Sequence, residues 1–333
     1  MHIDPRSDRP PISRLTLQVT DACNLRCVYC FSGEKGCADT FVSEEDFGYF
    51  LGFCLRNGMR GIRLTGGETM LHPHLHRFVH LAVQVGMPVH IFSNFTLKDC
   101  LNAFDVPGKA LSFLVNVNDR DTYDSSAWDN LTKNLELAAS CGYSTVLGYT
   151  VHEVPFKIPH IMQLAAEYCV QKIRISPAKP TIGAGKNRWL KSDEMRAFAE
   201  SAMQLSQELK SVGRLLVLDC PIPFCQIPQE HIHFFTKELK LTGKCDFGTS
   251  VNVNLEVGHC YVTNSLLAKR PLSSFRNAFE MLDYKLGLVR ELDLLYPPLS
   301  TCVGCRFLAQ GVCDGGCYGT RHQAIVGREV SHD

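Results

Sequence analysis

The residues with the clearest chemistry are three thiols within eight positions, Cys23-Asn24-Leu25-Arg26-Cys27-Val28-Tyr29-Cys30, spaced C-x3-C-x2-C. Thiolates are soft ligands that hold iron–sulfur clusters, normally four to a cluster. Three close thiols with no obvious fourth indicate a cluster with one iron left open. An open metal position is where a small molecule binds and is activated, as at catalytic zinc. The competing readings are a three-thiol zinc site and a loop with chance cysteines. Eight further cysteines lie between residues 220 and 317: Cys220, Cys225, Cys245, Cys260, Cys302, Cys305, Cys313 and Cys317.

Sixteen cysteines in a chain of 333 residues would mean disulfides in a small secreted protein. Here they cluster in short C-x2-C and C-x3-C spacings, which fits metal ligation in a reducing cytoplasm. The polar, proline-rich start from Met1 to Pro11 carries no apolar core of a secretory signal. No run approaches the roughly 18 apolar residues of a membrane span. The formal net charge is zero, so no basic surplus points to nucleic acid. With 45% hydrophobic residues the chain can bury one large α/β domain plus an appendage.

The thiol loop follows a strand, 14–20, with alternating apolar and polar residues. Ser43-Glu44-Glu45-Asp46 then opens a helix that stops near Asn57-Gly58. A second strand, 61–65, runs into Gly66-Gly67-Glu68, and a helix follows over 74–84. A third strand, 88–92, runs into Ser93-Asn94, with a short helix expected near 97–104. A fourth, 111–117, ends at Asn116 and Asn118. A helix carrying Trp128, Leu131, Leu135 and Ala138 leads to a fifth strand, 144–151. The stripe from Ile158 to Cys169 marks another helix, and a sixth strand, 172–176, precedes a helix over 193–210.

Six strand–helix alternations predict a parallel α/β architecture, open sheet or partial barrel. In either, ligands gather at the C-terminal strand ends. The thiol loop, Gly66-Gly67-Glu68, Ser93-Asn94 and Asn116/Asn118 all fall at such ends. Beyond about residue 213 the alternation weakens and prolines and cysteines rise. A boundary falls at 213–219, and metal clusters would supply much of the tail's folding energy.

The C-x3-C-x2-C loop, with Tyr29 before its last cysteine, resembles the signature of radical S-adenosylmethionine (SAM) enzymes. Thr65-Gly66-Gly67-Glu68, one strand–helix unit further on, is similar to their second motif, which binds the amino group of SAM. The usual proline after the glutamate is Thr69 here. The resemblance covers roughly residues 14–180 and implies a partial (β/α)6 barrel over 12–213, with a smaller cysteine-rich C-terminal domain over 214–333. It implies a [4Fe-4S] cluster on Cys23, Cys27 and Cys30 whose fourth iron takes SAM. Reductive cleavage of SAM then gives a 5′-deoxyadenosyl radical that abstracts hydrogen from a substrate. By the same resemblance Glu68 suits the ammonium group, and Gly66 and Gly67 allow close backbone approach. Tyr29 would lie near the adenine, and Ser93 and Asn94 near the ribose and carboxylate, with Asn116 and Asn118 in a like role.

The tail resembles the SPASM domain, which binds auxiliary clusters in some of these enzymes. Cys245 and Cys260 look like its first cysteine pair. Cys302-x2-Cys305-x7-Cys313-x3-Cys317 is close to its C-x2-C-x5-C-x3-C segment, but the family's further downstream cysteine is missing. One auxiliary cluster would use Cys245, Cys260, Cys317 and either Cys225 or Cys220. The other would use Cys302, Cys305, Cys313 and a leftover thiol, His322 or substrate. A single cluster on Cys245, Cys260, Cys302 and Cys305 is the simpler alternative.

The resemblance implies an enzyme acting on a peptide or protein side chain, with a donor such as flavodoxin or ferredoxin. The rival substrate is a sugar, aminoglycoside or nucleoside, which the short segment before the first strand favours. The cyclic-nucleotide-forming branch of molybdopterin synthesis has similar length but a different tail. A non-catalytic iron–sulfur electron carrier would have no need of Gly66-Gly67-Glu68.

Among the remaining residues, Cys54, Cys141 and Cys169 fall on apolar helix faces as core thiols, and Cys37 is incidental. His72, His74, His76 and His80 read as loop and helix surface. Arg63 and Arg174 either point into the barrel toward an acidic substrate or form internal ion pairs.

Overall fold

The structure, a computed structural model, describes residues 12–31, 39–182, 187–245, 250–263 and 267–329. Cys37 and the start of the chain lie outside them. In chain order the first part runs β1 (Leu15–Thr20), α1 (Glu44–Arg56), β2 (Ile62–Gly66), α2 (Leu75–Gln84), β3 (Val89–Ser93), β4 (Leu111–Asn116), α3 (Ser125–Ser140), β5 (Ser144–Val151), α4 (Pro159–Glu167), β6 (Lys172–Pro177) and α5 (Met195–Ser211). The strands pair in parallel in sequence order from β1 to β6.

Alternation within each strand decides which side meets the helices. Leu15, Leu17, Val19, Ile62, Leu64, Val89, Ile91, Phe113, Val115, Ile173 and Ile175 are buried in the main core with the helix residues Phe47, Phe50, Phe78 and Phe198. The intervening Thr16, Gln18, Arg63, Thr65, His90, Phe92, Ser112, Arg174 and Ser176 are only half-buried and line the opposite, inner face. Helices α1 and α3 carry side-chain caps. Ser43 caps α1 by accepting from Asp46 N at 3.0 Å, and Asp124 caps α3 by accepting from Ala127 N at 2.7 Å.

The tail continues the same sheet rather than starting another. β7 (Leu215–Leu218) pairs in parallel with β6, and after α6 (Ile232–Lys237), β8 (Ser250–Val251) pairs in parallel with β1 at the other edge. β9 (Glu256–Gly258) and β10 (Arg270–Pro271) add antiparallel strands outside β8, giving the order β10-β9-β8-β1-β2-β3-β4-β5-β6-β7 among the described residues. The ends of this order do not pair, so the barrel is partial. The helices α7 (Ala278–Leu295), α8 (Arg306–Ala309) and α9 (Tyr318–Glu329) complete the tail. No helix of the described residues is long and apolar enough to cross a membrane.

Several local expectations are corrected. No helix forms over 97–104. Asn134 Nδ2 donates 2.8 Å bonds to the carbonyls of Phe95 and Leu97, and Asp99 sits at φ 54°, so the helical ladder is interrupted from both sides. Cys54 is a buried core thiol, but Cys141 and Cys169 are exposed, because α3 and α4 end just before them and Cys169 turns to φ 54°. His72 is buried. Its Nε2 lies 2.9 Å from the Val42 carbonyl and its Nδ1 accepts from His74 N, which ties β2's exit turn to the segment before α1. Of the two roles expected for Arg174, the structure shows the ion pair, with Asp219 just past β7.

Asn134 therefore anchors the chain that leaves Ser93 and Asn94. Replacing it by alanine strands two buried carbonyls, at a cost of about 2–3 kcal/mol. The urea midpoint of Asn134→Ala is expected to fall accordingly with an unchanged m-value.

Candidate SAM and cluster site

The C-terminal strand ends gather on one edge. Gly67 N donates to Thr20 O at 2.9 Å and Glu68 N to Ala22 O at 2.7 Å, so the β2 exit lies flat against the β1 exit that leads into Cys23. No side chain fits between them. A Cβ on Gly67 would stand 2.3 Å from Ala22 O, and one on Gly66 2.8 Å from Thr20 O. Thr69, where the family has proline, is buried and donates its hydroxyl to Phe92 O at 2.7 Å, tying this turn to β3.

Glu68 is 1% exposed. Its carboxylate accepts from Ser93 Oγ at 2.7 Å, Asn94 N at 2.7 Å and Met70 N at 2.9 Å. Burial pushes its carboxyl above the ordinary carboxylate range, and these three donors oppose the shift in part. An acceptor-only group held this way suits a cation placed beside it.

The thiol loop is pinned by two side chains whose roles the spacing of the cysteines does not reveal. Asn24, inside the motif, donates to Thr96 Oγ1 at 2.8 Å and accepts from Asn94 Nδ2 at 2.9 Å. Asn187 Nδ2, well along the chain, reaches the Tyr29 carbonyl at 3.3 Å, beside a bond from Arg188 N to Val28 O at 2.8 Å. On the far side Asn118 Nδ2 donates to Cys27 Sγ at 3.2 Å. The Tyr29 hydroxyl donates to Asn118 Oδ1 and accepts from Asn116 Nδ2 at 2.8 Å, and its ring lies 5.4 Å from that of His152. The structure thus brings Cys23, Cys27, Cys30, Tyr29, Gly66, Gly67, Glu68, Ser93, Asn94, Asn116 and Asn118 onto one edge.

Burial raises the Cys23 thiol to about 11, with Glu68, Cys27 and Cys30 adding to the effect. Cys27 is also raised by burial, against the Asn118 amide. Thiols crowded in this way ionise when a cation binds among them. Among the described residues no three His, Cys, Asp or Glu side chains converge closely enough to share one metal ion. Tetrahedral zinc needs thiolates within about 4 Å of one another, whereas a cluster gives each thiolate its own iron and a wider cage. The donor set and the glycine-lined approach fit the cluster with SAM.

Asn118 offers a direct probe. Hydrogen bonds to cluster sulfurs tune the reduction potential. Asn118→Ala removes a donor that stabilises the more negative reduced state, so the cluster's potential is expected to become more negative in a redox titration followed by EPR.

In the tail the eight thiols fall into two neighbourhoods. Cys225, Cys302, Cys305 and Cys313 line one cavity of about 480 Å³, which Cys317 also reaches. Burial and the nearby charges of Cys302, Cys313 and Cys305 raise the Cys225 thiol. Cys245 is raised by burial and by Cys260, Cys317, Asp314 and Cys220. Cys220 is an exposed residue whose thiol is crowded by protein. It is pushed up to about 12 by loss of water and by Asp219, with Cys260 and Cys317 contributing.

Asp314 organises both neighbourhoods, although no motif in the sequence marks it. One oxygen accepts from Cys245 N at 2.7 Å and the other from Gly316 N at 3.2 Å. Arg321, fully buried, donates to the Asp314 carbonyl and pairs with Asp293 at 3.0 Å. Tail and thiol loop meet where the Phe31 and Tyr261 rings stack at 6.4 Å.

Residues 17–165 match the family model of the radical SAM superfamily. A probable GTP 3′,8-cyclase of Saccharolobus solfataricus is 27% identical over 209 residues, 59% of this chain and 66% of that relative, just under two thirds of its length. Streptococcus suis SuiB bound to S-adenosylmethionine has the same fold, with a TM-score of 0.69 and 14% identity over 92% of this chain and 73% of SuiB. So does anSMEcpe with bound AdoMet and the Cp18Cys peptide, with a TM-score of 0.64 and 15% identity over 92% of this chain and 89% of that one. The matched segment spans β1 to α4 and contains the thiol loop and the Gly66-Gly67-Glu68 turn, and the family uses a [4Fe-4S] cluster and SAM. The chain carries a radical SAM domain over residues 17–165.

Proposed function

We propose that the chain is an enzyme that takes a hydrogen atom from a C–H bond of a peptide or protein side chain, in a crosslinking or oxidation. When bound, a reduced [4Fe-4S] cluster on Cys23, Cys27 and Cys30 together with SAM supplies the 5′-deoxyadenosyl radical. The protein's part is to bind, orient and shield. Glu68 holds the ammonium group, fixed in its own position by Ser93, Asn94 and Met70. Gly66 and Gly67 leave the space for close approach. Asn118 orients the Cys27 sulfur and, with Asn116, the Tyr29 ring beside the nucleoside. Residues 12–213 serve as the core and 214–333 as an auxiliary cluster domain, with a flavodoxin or ferredoxin as electron donor.

The observation that carries the peptide reading is the gathering of the eight tail thiols into two groups. The fold likeness to SuiB and anSMEcpe, solved with the peptides SuiA and Cp18Cys, supports it over nearly the whole chain. A nucleotide-type small molecule is the second reading. It is favoured by the GTP 3′,8-cyclase relative and by Arg63 and His90 on the inner face, where burial and nearby arginines push His90 down to about 4. An electron carrier without catalysis has no use for the glycine-lined turn and buried Glu68.

The test is deuterium transfer into 5′-deoxyadenosine from deuterated peptide pools and from deuterated nucleotide and sugar pools. Label from peptides is expected. Label from nucleotides or sugars alone overturns the peptide reading.

A further inference from the structure

We infer that the chain closes both tail cages with its own thiols, Cys220 joining Cys245, Cys260 and Cys317 while Cys225 joins Cys302, Cys305 and Cys313, so that neither auxiliary cluster keeps an iron open to substrate. This rests on the reading above that the tail binds clusters, and it goes beyond it in assigning every ligand and excluding substrate from both irons.

The second cage is the more compact. Cys225 sits in a single turn, Phe224–Gln226, and lines the same cavity as Cys302, Cys305 and Cys313. The turn is held there by Phe224 packing on Phe307, ring centroids 5.2 Å apart, in the helix that begins right after Cys305. Cys305 N bonds Cys302 O at 3.1 Å, and Gly315 N points at Cys313 Sγ from 3.4 Å, a donor already aimed at a ligand sulfur. The upstream Cys225 therefore stands where a thiol beyond Cys317 would otherwise be needed. His322 does not line this cavity. Its ring packs edge-on against Tyr296 at 5.3 Å.

The first cage is assembled from four separate segments. Asp314 fixes Cys245 three residues before Cys317. The turn after Cys260, Tyr261–Thr263, packs on α9, which starts right after Cys317. The fit there is so close that a Cβ on Gly319 would stand 2.7 Å from Val262 Cγ1. Cys220 enters from the end of β7. Pro223, three residues on, lies 2.9 Å from where a Gly316 Cβ would be, which holds this segment against the Cys313–Cys317 loop. Cys220 also adopts φ 64°, a left-handed backbone that a non-glycine residue keeps only where surrounding structure demands it.

Four thiolates saturate the four irons of a cluster. A saturated cluster exchanges electrons but offers no position to a substrate nitrogen or oxygen. Substrate must then be held by protein side chains alone.

The experiment uses the full chain, reconstituted anaerobically, with iron and sulfide counts and EPR of the reduced protein. Wild type is expected to hold about 12 irons, four per cluster. Cys220→Ser and Cys225→Ser retain size and a weaker oxygen ligand. Each is expected to lose about four irons or to shift one auxiliary signal, and the two variants must affect different signals. His322→Ala is expected to leave both signals unchanged. If Cys225→Ser changes nothing, if both serine variants alter the same cluster, or if His322→Ala removes one, the ligand assignment is overturned. A wild type with only about four irons sinks the auxiliary-cluster reading itself, and about eight sinks the two-cage assignment while keeping one cluster.

Discussion

Gly67→Ala is expected to weaken SAM binding by up to about 100-fold. The new Cβ would sit 2.3 Å from Ala22 O and 2.7 Å from Asp21 O, both backbone atoms that no side-chain rotation moves aside. The β1 and β2 exits must then separate. Overpacking of this kind costs about 1–3 kcal/mol, and its upper end corresponds to about 100-fold in affinity. The displaced atoms immediately precede Cys23, so the cluster loop shifts with the SAM turn. Gly48→Ala, at a position in α1 with open space around it, is the matched control and is expected to leave SAM affinity unchanged. Calorimetric titration of reconstituted protein with SAM reads both. Equal affinities in Gly67→Ala and wild type would contradict the placement of SAM at this turn.

Glu68→Gln is expected to lower SAM affinity by a similar factor for a different reason. Both carboxylate oxygens accept hydrogen bonds, Oε1 from Ser93 Oγ and Met70 N and Oε2 from Asn94 N. A glutamine keeps one acceptor oxygen and sets an NH2 against a donor, which costs about 1–3 kcal/mol in a buried place, and it removes the charge that faces the ammonium group.

The pH dependence of the wild type follows from the same residue. Burial raises the folded-state value, so the unliganded fold prefers the protonated form more than the unfolded chain does. This contribution to stability is fully present below the ordinary value of about 4.3 and is lost as pH rises through the raised one. A bound ammonium group reverses the preference. The rise in melting temperature produced by SAM is therefore expected to grow with pH across that window, and to be flat with pH in Glu68→Gln. A SAM-induced shift that is independent of pH in the wild type would count against Glu68 as the ammonium acceptor.

The strand ends were legible because two local signals coincide: period-two burial in β1 to β6 and the glycine, glutamate, serine and asparagine residues that break it at the exits. Apart from Cys141 and Cys169, which are exposed because their helices end early, the failures involve residues remote in sequence. A helix over 97–104 is reasonable from its own residues, but Asn134 takes two of its carbonyls. His72 looks like surface until Val42 covers it, and which of its two expected roles Arg174 takes is decided only when β7 brings Asp219 alongside. The tail shows the difference most plainly. Cysteine spacing identifies ligands, but which thiols share a cage depends on Pro223 against Gly316 and Phe224 against Phe307, packing between segments about 80 residues or more apart in sequence. Asp314 and Arg321, which hold those segments, carry no motif at all.

The central claim is that the Cys23–Cys30 loop and the Gly66-Gly67-Glu68 turn form one SAM-cleaving site. Its most direct test is release of 5′-deoxyadenosine from SAM by the reduced, reconstituted chain, measured beside the iron content of wild type and Cys27→Ala. The expected result is 5′-deoxyadenosine from wild type, and from Cys27→Ala none, with about four irons fewer. No 5′-deoxyadenosine from a wild type whose iron content matches that of Cys27→Ala would contradict the account.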